Sequence, residues 1–241
     1  MLPPTAVKNA PDAVRQAGKG ACALSRYRIY YEKEDGVRFI SHLDFMRTAM
    51  RAFRRAGLPV HYSKGFNPHT IMTVALPVPV GMTSRCESME VELDDGLSGE
   101  EITAKLSAVM PDGLPVRGAE NAEGLQPFKH IASAQYRVTF LSGAAPDATK
   151  LLAQDEIVLE KRTKRGLKDT DVKEDIFDIT PTEGGLVMCL AAGSTRNLKP
   201  ELVLAAFTKY QGITFDEVRI CREEIFMEDG SALTNRKDGL A

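Results

Sequence analysis

The sequence predicts an α+β protein built from two tandem ferredoxin-like (βαββαβ) units. Three observations carry that expectation. Residues 26–118 run strand, helix, strand, strand, helix, strand, which is the split βαβ order. Residues 135–226 repeat the order with little shared sequence. The chain has 241 residues, 43% of them hydrophobic and 27% charged, enough for one large domain or two small ones. The boundaries that follow are a flexible extension over 1–25, a first unit over 26–121, a linker over 122–133, a second unit over 134–226 and a polar tail over 227–241.

In the first unit, residues 26–32 alternate, with Tyr27, Ile29 and Tyr31 on one face of a strand. Glu34-Asp35-Gly36 reads as a turn, and 37–40 as a short extended piece. Ser41 is placed to N-cap a helix over 42–56, with Asp44 three residues on as an acidic variant of the capping box. Leu43, Met46, Met50 and Phe53 fall at helical spacing, beside Ala49 and Ala56. Gly57 suits the C′ position, and Pro59 prevents continuation. A turn-rich loop, Tyr62–His69, leads to a strand over 70–76. Residues 87–93 alternate as the next strand. Ser98 and Glu101 open a second capped helix over 99–109, and 114–118 supply the fourth strand.

In the second unit the expected elements are a strand at 135–141, a helix at 146–154 and a strand at 157–164. A charged excursion covers 165–183. A strand at 186–192, a helix at 200–210 with Pro200 at N1, and a last strand within 213–226 follow. Two open sheets side by side would leave a cleft between them.

Composition excludes several classes. The net charge of −2 gives no whole-molecule field for polyanions, so nucleic-acid binding requires a local patch. No apolar run approaches the roughly 18 residues of a membrane span, and the first 25 residues lack the apolar core of a secretory signal. The four cysteines, Cys22, Cys86, Cys189 and Cys221, lie too far apart for a zinc or iron–sulfur ligand set. They suit buried thiols in a reducing cytoplasm. No phosphate-binding loop, dinucleotide glycine pattern, nucleophile elbow or HExxH is present. No cofactor and no metal are expected.

Chemistry-capable residues concentrate in 39–69. Arg47, Arg51, Arg54 and Arg55 share one side of the first helix, and Lys64 follows, with only Asp44 as a nearby acid. Guanidinium forks match phosphate geometry, and clustered positive charge gains from counterion release. A solvated helix face has the same pattern. In the loop, Tyr62 and Phe66 can stack on bases, while Lys64, Asn67 and His69 offer polar contacts. The alternative is an ordered turn with both rings in the core. His42 falls in the first helical turn, where the positive helix end favours a neutral imidazole. It is a weak catalytic candidate, with Asp44, His61 and His69 as companions. His130 lacks supporting context. Residues 161–168, KRTKRGLK, hold five basic residues, but the acids that follow them fit a solvated hairpin.

The segments Ser41-His42-Leu43-Asp44, Arg54-Arg55-Ala56-Gly57-Leu58-Pro59 and Tyr62-Ser63-Lys64-Gly65-Phe66-Asn67-Pro68-His69 resemble the radical SAM-linked protein family. That is a bacterial domain of unknown function, encoded beside or fused to radical S-adenosylmethionine proteins. The resemblance continues through Ala75–Gly81, Asn197–Glu201 and Val218–Arg222. It departs at Thr70-Ile71, where the family has proline and a basic residue. It implies a radical SAM protein as partner, with this chain the non-catalytic half. The tandem ferredoxin-like order also resembles CRISPR repeat-processing endoribonucleases, in architecture alone.

The expected function is therefore a cytoplasmic RNA-binding accessory subunit that presents structured tRNA or rRNA to a radical SAM enzyme. The alternatives are metal-independent RNA cleavage using His42, and a purely structural docking subunit.

Overall fold

The computed structural model describes residues 24–66, 68–94, 96–142, 146–163 and 166–234, without the side chains of 161–163. Most of the expected N-terminal extension, Cys22, Asn67, Lys164, Arg165 and the tail from 235 onward lie outside the described residues.

The first half contains β1 (Leu24–Lys33), α1 (His42–Arg55), β2 (Met72–Val74), β3 (Thr83–Asp94), α2 (Gly99–Ser107) and β4 (Val116–Asn121). The second contains β5 (Ile131–Phe140), α3 (Ala148–Leu152), β6 (Val158–Thr163), β7 (Gly166–Asp171), β8 (Ile176–Thr182), β9 (Gly185–Ala191), α4 (Pro200–Gln211) and β10 (Val218–Met227). Together they make a mixed α+β fold dominated by one large, mostly antiparallel sheet. Its order is β4-β1-β3-β10-β5-β9-β8, with β2 also paired to β3. Instead of two separate open sheets, a short parallel pairing of β3 with β10 joins the halves, at Thr83–Cys221 and Ser84–Arg222.

The second half departs from the expected element order at one place. Residues 158–163 do not enter the large sheet. They pair with 166–171 in a separate hairpin. The strand that joins β9 is β8, inside the stretch 165–183 expected to be a charged excursion. Its Pro181 lacks an N–H, which an edge strand tolerates, and a register shift interrupts it between Ile176 and Asp178.

α1 forms as its caps dictate. The Ser41 side chain accepts a hydrogen bond from the Asp44 N–H at 3.2 Å and donates to the Asp44 carboxylate at 2.8 Å. At the other end Gly57, at φ 64°, closes a Schellman motif: its N–H reaches the Arg54 carbonyl, and the Leu58 N–H reaches that of Phe53. The buried face is Phe45, Ala49, Ala52 and Phe53. Leu43, expected inward, is exposed, because the stripe that meets the sheet runs through Phe45 instead. Ser41→Ala removes the N-cap acceptor and should cost about 1 kcal/mol in urea denaturation.

Two hydrophobic cores cover the sheet. The first gathers Tyr27, Ile29, Tyr31, Met89 and Val91 under α1 and α2. The second gathers Tyr136, Val138, Met188 and Leu190 with Phe207 of α4. Met82, just before β3, and Cys86, near its start, belong to the second core, so the seam is interlocked. Buried Arg28 ties the segment before β5 to the sheet, bonding Glu90 and the Gln126 carbonyl and stacking on Phe128. Among the described residues no helix is long and apolar enough to cross a membrane.

Candidate functional site

The four arginines expected on one face of α1 are all exposed, but their surroundings differ. Arg47 pairs with Asp44 at 3.1 Å. The Arg55 guanidinium is spent on the Val109 carbonyl, at 2.5 Å. Arg51 makes a long contact to the Thr48 hydroxyl, 3.4 Å, and its charge also acts on Asp44. Arg54 lies with its guanidinium carbon 5.9 Å from the centre of the Tyr62 ring and its Nε 3.4 Å from the Tyr62 hydroxyl. The C-terminal turn of α1 and the loop after it therefore form one surface.

The loop is a closed turn. Tyr62 and Thr70 bridge at its base. The Ser63 N–H donates to the His69 carbonyl at 2.8 Å, and the His69 N–H donates to Ser63 Oγ at 3.1 Å. His69 Nδ1 is also 2.8 Å from Ser63 Oγ, so this imidazole helps to hold the turn. The closure projects Phe66 fully into solvent, with Lys64 exposed beside it. Phe66 is therefore not a core residue, and Tyr62 is 40% exposed.

The histidines do not form one centre. His61 Nε2 is 2.6 Å from the Asp94 carboxylate, and His130 Nδ1 is 2.8 Å from that of Glu228. His42 lines a cavity at the other end of α1, without His61 or His69. Among the described residues no group of three His, Cys, Asp or Glu can hold a metal. Asp44 is exposed; the Ser41 hydroxyl, then Arg47, hold its carboxyl below the usual range.

Sequence reasoning missed a second feature, at the seam. Registers place Tyr31 opposite Glu87 and Arg222 opposite Tyr136. Glu87 and Arg222 then meet in the middle of this row, 0% and 1% exposed. Arg222 Nε is 3.3 Å from Glu87 Oε1 but is not aligned for a hydrogen bond. Arg222 Nη1 donates to the Leu76 carbonyl at 2.8 Å, and Ser84 Oγ donates to Glu87 at 2.5 Å. Lys33, 5% exposed, donates to the carbonyls of Ile40 and Pro79. Burial pushes the Lys33 ammonium below its usual pKa, and the Glu87 charge pulls it partly back. Burial also raises the Glu87 carboxyl, against the pull of Arg222 and Ser84.

Above this row lies a cavity of about 300 Å³. His42 borders it from α1, Asn197, Lys199 and Pro200 from the start of α4, and the segment 76–82 forms another side. Tyr136 and Arg222 face it from the sheet. The readable signal was parity: Glu87 and Arg222 each occupy an inward position of an alternating strand.

The structure thus defines a mixed α+β protein with one large, mostly antiparallel sheet and few helices, carrying a basic surface at one end of α1 and a polar seam at the other. Residues 26–200 match DUF2344, described as an uncharacterized protein conserved in bacteria, and the chain belongs to that family. No curated protein matches it. Among solved structures, an unknown protein from Galdieria sulphuraria is similar at 13% identity and a TM-score of 0.26. The match covers 83% of this chain and 99% of that one, a superposition too poor to carry an argument.

Proposed function

We propose that this is a cytoplasmic RNA-binding accessory subunit that presents tRNA or rRNA to a radical SAM modification enzyme. The observation that carries the RNA reading is the Arg54–Tyr62 contact, which joins the end of α1, with exposed Arg51, to the loop that carries exposed Lys64 and Phe66. Arginines supply phosphate contacts, and a projecting ring supplies a stacking platform that tolerates any base. The enzyme partner rests on the motif resemblance alone. We also read each half as a ferredoxin-like unit. The strand orders β4-β1-β3-β2 and β10-β5-β9-β8 support that reading, with the β6–β7 hairpin as an insertion.

Fluorescence anisotropy with labelled tRNA and with a single-stranded oligonucleotide tests the RNA role. Phe66→Ala should weaken binding by about 1–3 kcal/mol, the range of one lost stacking contact. Because the ring is fully exposed, the thermal transition should stay in place. An affinity unchanged by Phe66→Ala would remove the platform. Absence of RNA binding by the wild type would remove the reading.

A further inference from the structure

We infer that the loop after α1 takes RNA at an unpaired nucleotide, whose base stacks on Phe66, and that a continuous duplex cannot use this ring; the step rests on reading this surface as an RNA site and names the class of RNA. The first observation is where the ring stands. Phe66 is fully exposed. In water it buries no apolar area, so the fold gains nothing from its ring. Single exposed apolar side chains are common on protein surfaces, but this one is held out by its own backbone.

That backbone is the second observation. Gly65 directly precedes the ring at φ 134°, a conformation that other residues reach with strain. Beneath it, Ser63 and His69 close the turn through contacts of 2.8, 2.8 and 3.1 Å. The ring therefore sits on a closed turn, and little ordering is left to do when a base meets it. The third observation is what lies behind the ring. Exposed Lys64 stands two residues before it. Arg54 reaches the loop through Tyr62, with Arg51 one turn earlier on α1. Cations for phosphates thus flank an aromatic face, the pairing that single-stranded nucleic acid requires.

RNA geometry supplies the rest. In an A-form duplex each base face is covered by its neighbours. The major groove is too deep and narrow for side chains, and the minor groove offers base edges and 2′-hydroxyls. A ring at the tip of a turn finds no π-face there. A nucleotide in a loop, a bulge or a free end offers one, whereas freeing a base from an intact duplex costs unpairing and unstacking energy. Duplex RNA can still reach Arg51, Arg54 and Lys64 through its phosphates, but that attraction is independent of Phe66.

Fluorescence anisotropy of the full chain with three labelled ligands at one salt concentration tests this. They are oligouridylate, its blunt duplex with oligoadenylate, and an abasic ribose phosphate strand of the same length, which keeps the charges and lacks the bases. Phe66→Ala should weaken oligouridylate about 5-fold to 100-fold, the effect of one lost stacking contact. It should leave the duplex and the abasic strand unchanged. Phe66→Trp should keep the affinity for oligouridylate, and Phe66→Leu should lose it as Phe66→Ala does, which separates stacking from a general apolar contact. If Phe66→Ala weakens the duplex or the abasic strand as much as oligouridylate, or Phe66→Leu binds like the wild type, the inference is overturned and RNA binding stands. A wild type that binds none of the three removes the RNA reading, and this inference with it.

Discussion

Glu87→Ala should destabilise the protein by about 3–5 kcal/mol, the range for removing one partner of a buried pair. The two partners are not equivalent. Without Arg222, the Glu87 carboxyl can take up a proton and remain bonded to Ser84. Without Glu87, the Arg222 guanidinium keeps its charge in a site that is 1% exposed. Glu87→Ala should therefore cost more than Arg222→Ala when both are measured by urea denaturation at neutral pH. An equal or reversed cost would mean that the pair is held by packing rather than by charge. The pH dependence has a defined sign. Burial raises the Glu87 carboxyl above its ordinary value near 4.5. A group whose folded-state pKa is raised gives its full stability below the unfolded value and loses it as pH rises through the folded one. Glu87→Gln, which keeps an acceptor for Ser84 and has no charge to ionise, should gain on the wild type as pH rises from about 4.5 toward neutrality.

That the pair matters was legible only in part from the sequence. Local rules located α1 well, because Ser41, Asp44, Gly57 and Pro59 act within a few residues of one another. The capped start of α2 was legible for the same reason: the Glu101 N–H bonds Ser98 Oγ at 3.0 Å. What local rules do not contain is the pairing across the seam. Residues 83–84 and 221–222 are more than a hundred residues apart, and nothing in either strand specifies the other. The motifs around Pro77, Asn197 and Arg222 were visible as separate segments, and only the topology brings them to one cavity. β8 was hidden for a different reason. Charge, a proline and a register shift mask its alternation, and an edge strand tolerates all three. In the loop, the turn residues were readable, but composition could not decide whether Phe66 faces inward. The hydrogen bonds between Ser63 and His69 decide it by closing the turn beneath the ring.

The structure also alters which arginines should matter for RNA. Arg51→Ala with Arg54→Ala should weaken RNA binding much more than Arg47→Ala with Arg55→Ala. The stripe looks uniform in sequence, yet Arg55 is committed to the Val109 carbonyl and Arg47 to Asp44. A guanidinium already bonded must lose that bond or share it before it can fork a phosphate. The side-chain hydrogen bonds of Arg51 and Arg54 are long ones, 3.4 Å, to neutral hydroxyls, which a phosphate oxygen can displace with little loss. Each phosphate contact contributes about 0.7 to the slope of log affinity against log salt for a single strand. Losing two should flatten that slope by about 1.4 in a titration between 50 and 200 mM salt. The Arg47 and Arg55 pair should leave the slope nearly as in the wild type. If both double variants flatten it equally, the RNA follows the helix face as a diffuse charge stripe, and the surface shared with Tyr62 and Phe66 is not its site.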